Sequence, residues 1–136
     1  MIEKISFSTK GKDDIIDITP LVKEIIQKNK IKNGLCLLSS PASTCGLTTL
    51  EYEPNLREDF KEFLEHLASS KKEYRHHQTW GEDNGRAHLL SSLFKPYLCL
   101  TIENGELLLG TWQQIVFIDF DTRPRERTLT IQLIAS

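Results

Sequence analysis

The C-terminal third constrains the fold more than any other stretch. "YLCLTIE" (97–103), "ELLLGTWQQIVFIDFD" (106–121) and "RTLTIQLIA" (127–135) are apolar segments of strand character. Asn104-Gly105 between the first two is the residue pair that closes a two-residue hairpin. "DTRPRE" (121–126) turns the second segment into the third. Adjacent antiparallel strands of this kind need further strands or helices to cover their apolar face.

The upstream chain supplies them. "IEKISFST" (2–9) alternates from Ile5 to Ser8 and reads as a strand, with "GKDDIIDIT" (11–19) expected as the second arm of a hairpin. Thr19-Pro20 reads as a helix start, a hydroxyl N-cap followed by a proline that needs no N–H partner. Leu21, Val22, Ile25 and Ile26 then share one helical face, and Asn33-Gly34 closes the element. "LCLLSS" (35–40) is a short strand interrupted by Pro41, and "STCGLTTLEYE" (43–53) a Thr-rich one. Gly46 marks a bulge or a close backbone approach there. "PNLREDFKEFLEHLASS" (54–70) is the clearest helix: Asn55 and Glu58 suggest a capping box, and Leu56, Phe60, Phe63, Leu64 and Leu67 form the apolar stripe. His66 lies off that stripe, on the solvent side. "AHLLSSLF" (87–94) is a short helix ended by Pro96. The expectation is one α+β domain over residues 1–136, mainly antiparallel strands with two to three helices on one face.

A formal net charge of -2 provides no global field for a phosphate backbone, and basic residues do not interleave with aromatics, so nucleic acid ranks last among partners. Cys36, Cys45 and Cys99 are odd in number and form no C-x-x-C, which fits reduced thiols in a cytoplasmic protein. The N-terminus has no apolar leader core, and no run approaches the ~18 apolar residues of a membrane span, so no membrane partner is expected.

Chemistry concentrates in "YRHHQTWGEDNGRAHL" (74–89), which holds three of the four histidines. In an extended segment His76 and His77 point to opposite faces, so one of them serves a given site. His88 falls near the first turn of the short helix, where a neutral imidazole is favoured for metal binding or hydrogen bonding. Asp83 or Asn84 can cap that helix, whose free amides suit an anion. The alternative is a capped helix beside surface histidines, because the spacing matches no standard zinc signature. Ser43, Thr44 and Glu51 lie on the Thr-rich strand, with Glu51 between apolar neighbours. Arg123, Arg125 and Arg127, two apart, would share a face in an extended chain and could grip phosphate, or else form a charged hairpin end offset by Asp119, Asp121 and Glu126. "GTWQQ" places an indole and two amides in an otherwise apolar stretch, where buried polar atoms would need partners.

In this order "PASTCGLTTLE" (41–51), "YRH" (74–76), "DNGRAHL" (83–89) and "NGELLLGTWQQIVFIDFD" (104–121) resemble the YjbQ-like family, proteins described as secondary thiamine-phosphate synthases. The resemblance covers nearly the whole chain. It implies an α+β fold assembled as a homotrimer and a site with histidines and a bound anion or metal. Carried over by position, Glu51, His76 and His88 would be catalytic. Ser43, Thr44, Asp83, Asn84, Trp112, Gln113 and Arg127 would bind a phosphorylated small molecule. His76 and His88 would hold a divalent metal, zinc or magnesium. The implied reaction joins a hydroxymethylpyrimidine pyrophosphate to a thiazole phosphate and releases pyrophosphate. The alternative is a catalytically reduced protein that binds a phosphometabolite or metal. Three positions depart from the family pattern: Ala42 where histidine is usual, Lys95 where glycine is usual, and Thr101 where proline is usual. Alanine can neither bind metal nor carry a proton.

Overall fold

The computed structural model describes residues 1–136. The chain runs β1 (Ile2–Thr9), β2 (Asp14–Asp17), α1 (Thr19–Lys28), β3 (Gly34–Ser39), β4 (Cys45–Leu50), α2 (Pro54–Leu67), α3 (His77–Trp80), α4 (Gly85–Phe94), β5 (Tyr97–Glu103), β6 (Glu106–Leu107), β7 (Gln114–Asp119) and β8 (Arg125–Ala135). All pairings are antiparallel, in a five-stranded sheet of order β1-β8-β3-β5-β6 and a three-stranded sheet of order β2-β7-β4.

Strand β7 sets the layers. Every residue from Ile115 to Asp119 is buried, so its alternate side chains enter two cores. Ile115 and Phe117 join Leu129, Ile131 and Leu133 of β8 and Cys36 and Leu38 of β3 between the sheets. Val116 and Ile118 join Leu64 of α2 and Ala87 and Leu90 of α4 on the outer side. Each such side chain contributes ~1.5–3 kcal/mol by burial. The α+β class with mainly antiparallel strands is as expected. One helix departs from the expected face: α1 packs Val22, Ile25 and Ile26 into the inter-sheet core. None of the four helices is long and apolar enough to cross a membrane.

Several local expectations are corrected. β1 and β2 do not form a hairpin, because Gly11, Lys12 and Asp13 are all left-handed (φ 72, 53 and 64°) and swing the chain into the other sheet. Thr19 does not cap α1; its Oγ1 accepts the Ile115 N–H at 2.8 Å, while Asp17 Oδ1 accepts the Thr19 N–H. Leu21 is exposed, and the helix ends at Lys28, before Asn33-Gly34. Glu53, rather than an Asn55–Glu58 box, caps α2 by accepting the Asn55 and Leu56 amides at 3.0 and 2.7 Å. Phe63 and Leu67 stand outside the core, which leaves Leu64 as the buried centre of the stripe. The segment 106–121 is not one strand: β6 stops at Leu107 and a connecting loop that includes "GTWQ" (110–113) leads to β7. Trp112 there is 70% exposed, so its indole needs no internal partner.

The Asn104-Gly105 hairpin forms as expected, both residues left-handed (φ 53 and 84°). Gly46 is the expected close approach: a Cβ there would lie 2.9 Å from Phe94 Cβ. Lys95, at the position where the resemblance implies glycine, has φ 68°. Its N–H donates to Ser91 and its C=O accepts from Leu47, which pins this unfavourable backbone in place.

The chain crosses between sheets at β1–β2, β3–β4 and β7–β8, and these corners meet. Lys12 and Asp13 donate backbone N–H groups to Asp121 and Asp119, and Phe120 donates to Thr44. Leaving a ladder orphans polar groups, and a buried side-chain network fills the gap. Arg127 donates Nε and Nη2 to the fully buried Asp119 carboxylate, both at 2.8 Å, and Nη2 again to Thr44 Oγ1 at 2.9 Å. Thr9 Oγ1 also donates to Asp119, and Thr44 Oγ1 donates to Asp121 at 3.0 Å. Arg125 pairs with Asp121 at 3.1 Å.

Candidate functional site

The first turn of α4 organises the site. Neither Asp83 nor Asn84 caps it. His77 takes that role, accepting the Gly85 N–H on Nε2 at 3.1 Å, with Nδ1 3.2 Å from the Glu73 carboxylate. Acceptance at Nε2 requires the tautomer protonated on Nδ1. The segment before α3 is a turn rather than an extended strand, since the His77 N–H donates to the Tyr74 carbonyl. That turn still sends His76 and His77 to different sides of α4. Gly85 permits the close fit: a Cβ there would lie 2.8 Å from Tyr74 Cβ and 3.3 Å from His76 Cβ.

His76 therefore meets His88. Their ring centroids are 4.8 Å apart at an interplanar angle of 67°, and both rings are half-buried. Of the three histidines in this stretch, His77 alone has its ring nitrogens hydrogen-bonded. The pair lines a hollow of ≈ 760 Å³ with Lys72, Glu73, Arg75 and Leu89. Free imidazole nitrogens beside two cationic side chains suit a polyanionic ligand that also needs a proton donor, acceptor or metal.

The other expected residues lie elsewhere. Asp83 and Asn84 line a second hollow of ≈ 430 Å³ on the opposite side of the α4 start, with His77, Arg86, Asp121 and Thr122. Asp83 accepts the Thr122 hydroxyl at 2.9 Å. Glu51 and Trp112 share a third depression and hydrogen-bond neither histidine. Gln113 closes its own loop, accepting the Gly110 N–H and donating to Thr49. Ser43 is exposed, whereas Thr44 is buried in the corner network.

Arg127 is consumed by that network. Its hydrogen bonds to Asp119 raise its pKa further and leave it 11% exposed. Arg123, Arg125 and Arg127 do not present one phosphate-binding face; each faces a carboxylate, Arg123 meeting Glu82 and Asp83. Ala42 lines a fourth depression with Arg127, apart from the histidine pair. Sequence reasoning gave no site role to Lys72 or Arg75 and missed the capping role of His77; Arg75 lies within the "YRH" motif and Lys72 two residues before it, while nothing in the sequence marks the third.

Tested against a metal, His76 and His88 offer two imidazole donors, which suit zinc better than magnesium. No third His, Cys, Asp or Glu side chain joins them to complete a metal cluster within the chain.

The sequence matches the model of the family described as "UPF0047 protein YjbQ-like" over residues 3–136. A UPF0047 protein of Methanocaldococcus jannaschii is 34% identical over 135 residues, 98% of this chain and 94% of that protein. The UPF0047 protein YugU of Bacillus subtilis is 33% identical, covering 98% of this chain and 99% of that protein. A crystal structure of a YbjQ-like protein of unknown function from Sulfolobus solfataricus superposes with TM-score 0.93 at 29% identity, over 100% of this chain and 97% of the other. An uncharacterised YjbQ/UPF0047 protein of Clostridium acetobutylicum superposes with TM-score 0.87 at 32% identity, over 97% and 99%. By the family model over residues 3–136 and by these relatives, the chain belongs to the YjbQ-like UPF0047 family.

Proposed function

We propose that the histidine hollow is an active site for a phosphorylated small molecule, working as a thiamine-phosphate-synthase-type transferase. The observation that carries this reading is the pairing of His76 and His88, twelve residues apart in sequence, beside Lys72 and Arg75. In the reaction the C–O bond to pyrophosphate breaks, its electron pair leaves with the pyrophosphate, and a C–N bond forms to the thiazole. Lys72 and Arg75 offset the charge that grows on the leaving group. One imidazole donates a proton to it, and the other orients the first. A zinc ion bound by the pair would supply Lewis acidity toward a phosphate oxygen. Assembly as a homotrimer, which the resemblance implies, would cover exposed apolar side chains such as Trp80, Trp112, Leu89 and Leu93, and light scattering measures it directly.

The test is turnover of hydroxymethylpyrimidine pyrophosphate with thiazole phosphate. Product above the blank, lost in His88→Ala with an unchanged circular dichroism spectrum, supports the reading. A wild-type protein without turnover removes the transferase activity. A second reading, a binding protein with reduced catalysis, is favoured by the absence of a third metal donor beside the pair. It predicts saturable binding of thiazole phosphate without product.

A further inference from the structure

His76 and His88 sit on separate segments, His76 in the turn that leads into α3 and His88 in the first turn of α4. The spacing of the two rings therefore depends on how those segments are held together. A single hydrogen bond joins residues 74–80 to α4, from the Gly85 N–H to His77 Nε2.

That one bond carries a condition. A neutral imidazole has its proton on either nitrogen, and only with the proton on Nδ1 is Nε2 an acceptor. The other tautomer, like the imidazolium, would set an N–H against the Gly85 N–H. Glu73 decides between them, because its Oε1 lies 3.2 Å from Nδ1 and accepts a hydrogen bond there. Glu73 is the one carboxylate on the wall of the histidine hollow, and it pairs with neither Lys72 nor Arg75. A negative charge there opposes an anionic ligand, so its place on that wall calls for another reason.

We propose that Glu73 and His77 are positioning residues for the paired imidazoles. Glu73 fixes the His77 tautomer, His77 ties α4 to the turn, and the tie keeps His76 against His88. The proposal rests on the reading of His76 and His88 as the reacting pair. His77 is bonded at both ring nitrogens and takes no part in proton transfer itself.

Four proteins compared at pH 8 test this: wild type, Glu73→Ala, His77→Gln and the double variant. Glutamine has no tautomer to choose, so its amide oxygen can accept the Gly85 N–H with or without Glu73. Two NMR readouts need no substrate. Long-range nitrogen–proton spectra show which His77 nitrogen carries the proton, and Overhauser contacts between ring protons report the His76–His88 spacing. Wild-type His77 should be protonated on Nδ1, with a strong contact between the two rings. Glu73→Ala should move His77 toward the Nε2-protonated form and weaken the inter-ring contact at least twofold. His77→Gln should keep the contact, and adding Glu73→Ala to it should change nothing. Turnover should follow the same pattern: in Glu73→Ala kcat falls severalfold while KM stays level or drops, since a negative charge leaves the hollow.

Wild-type His77 protonated on Nε2, or an inter-ring contact unchanged in Glu73→Ala, would overturn the proposal. So would equal losses from Glu73→Ala with and without His77→Gln, or a fall in kcat with the contact intact. The Glu73 side chain is 75% exposed, so Glu73→Ala should fold and decides the matter even if His77→Gln does not. A wild-type protein without turnover removes the transferase reading alone, because the tautomer and the inter-ring contact are read without it.

Discussion

Replacing Arg127 by methionine separates a structural arginine from a ligand-binding one. The substitution keeps an unbranched chain and leaves Asp119, with 0% exposure, without its two guanidinium bonds. Removing one member of a buried ion pair costs about 3–5 kcal/mol. Urea unfolding at pH 7 measures the loss, and at ~3 °C per kcal/mol the melting point should fall by about 10–15 °C. The double variant Arg127→Met/Asp119→Leu should regain more than half of the loss. A loss under 1 kcal/mol, accompanied by weakened phosphate binding, would refute the corner-network account and return Arg127 to the role the resemblance implied.

Other tests address the rest of the molecule. Burial pushes the Cys36 thiol up to about 12 and also raises Cys45, while Cys99 is exposed; the native protein should titrate one thiol with a disulfide reagent at pH 8 and three in guanidinium. Lys95→Gly should stabilise by about 1 kcal/mol in urea, because glycine accepts φ 68° without the strain a lysine bears; destabilisation would show that the lysine side chain contributes. Burial alone would raise the Asp121 pKa, but bonds from the Thr122 amide and Thr44 hydroxyl, with Arg125 and Arg127 nearby, leave it lowered. Its contribution is thus present above the unfolded value of about 4 and disappears as pH falls through the lower folded value. Thr44→Val should move the acid limb of the urea midpoint upward in pH, and an unchanged limb would deny Thr44 that role.

Local geometry was legible in the sequence where a residue type answers a local demand. Asn104-Gly105 fixes its hairpin because both positions need positive φ, and the apolar run 115–118 announces a strand buried on both faces. The partition into two sheets was not legible. It depends on the left-handed run Gly11–Asp13, and Lys12 does not belong to a type expected at such angles. For the same reason the arginines looked available: Asp119 and Asp121 were visible as neighbours, but their burial at three meeting corners was not. The pairing of His76 with His88 was readable, whereas His77 gained its role from a turn that an extended reading of the segment cannot contain.

The central claim, that the paired imidazoles form the functional centre, is tested most directly by carbon–proton NMR of the histidine rings during titration with thiazole phosphate. The ring signals of His76 and His88 should shift together and saturate, while exposed His66 stays still. Saturable binding that leaves both signals in place would contradict the claim.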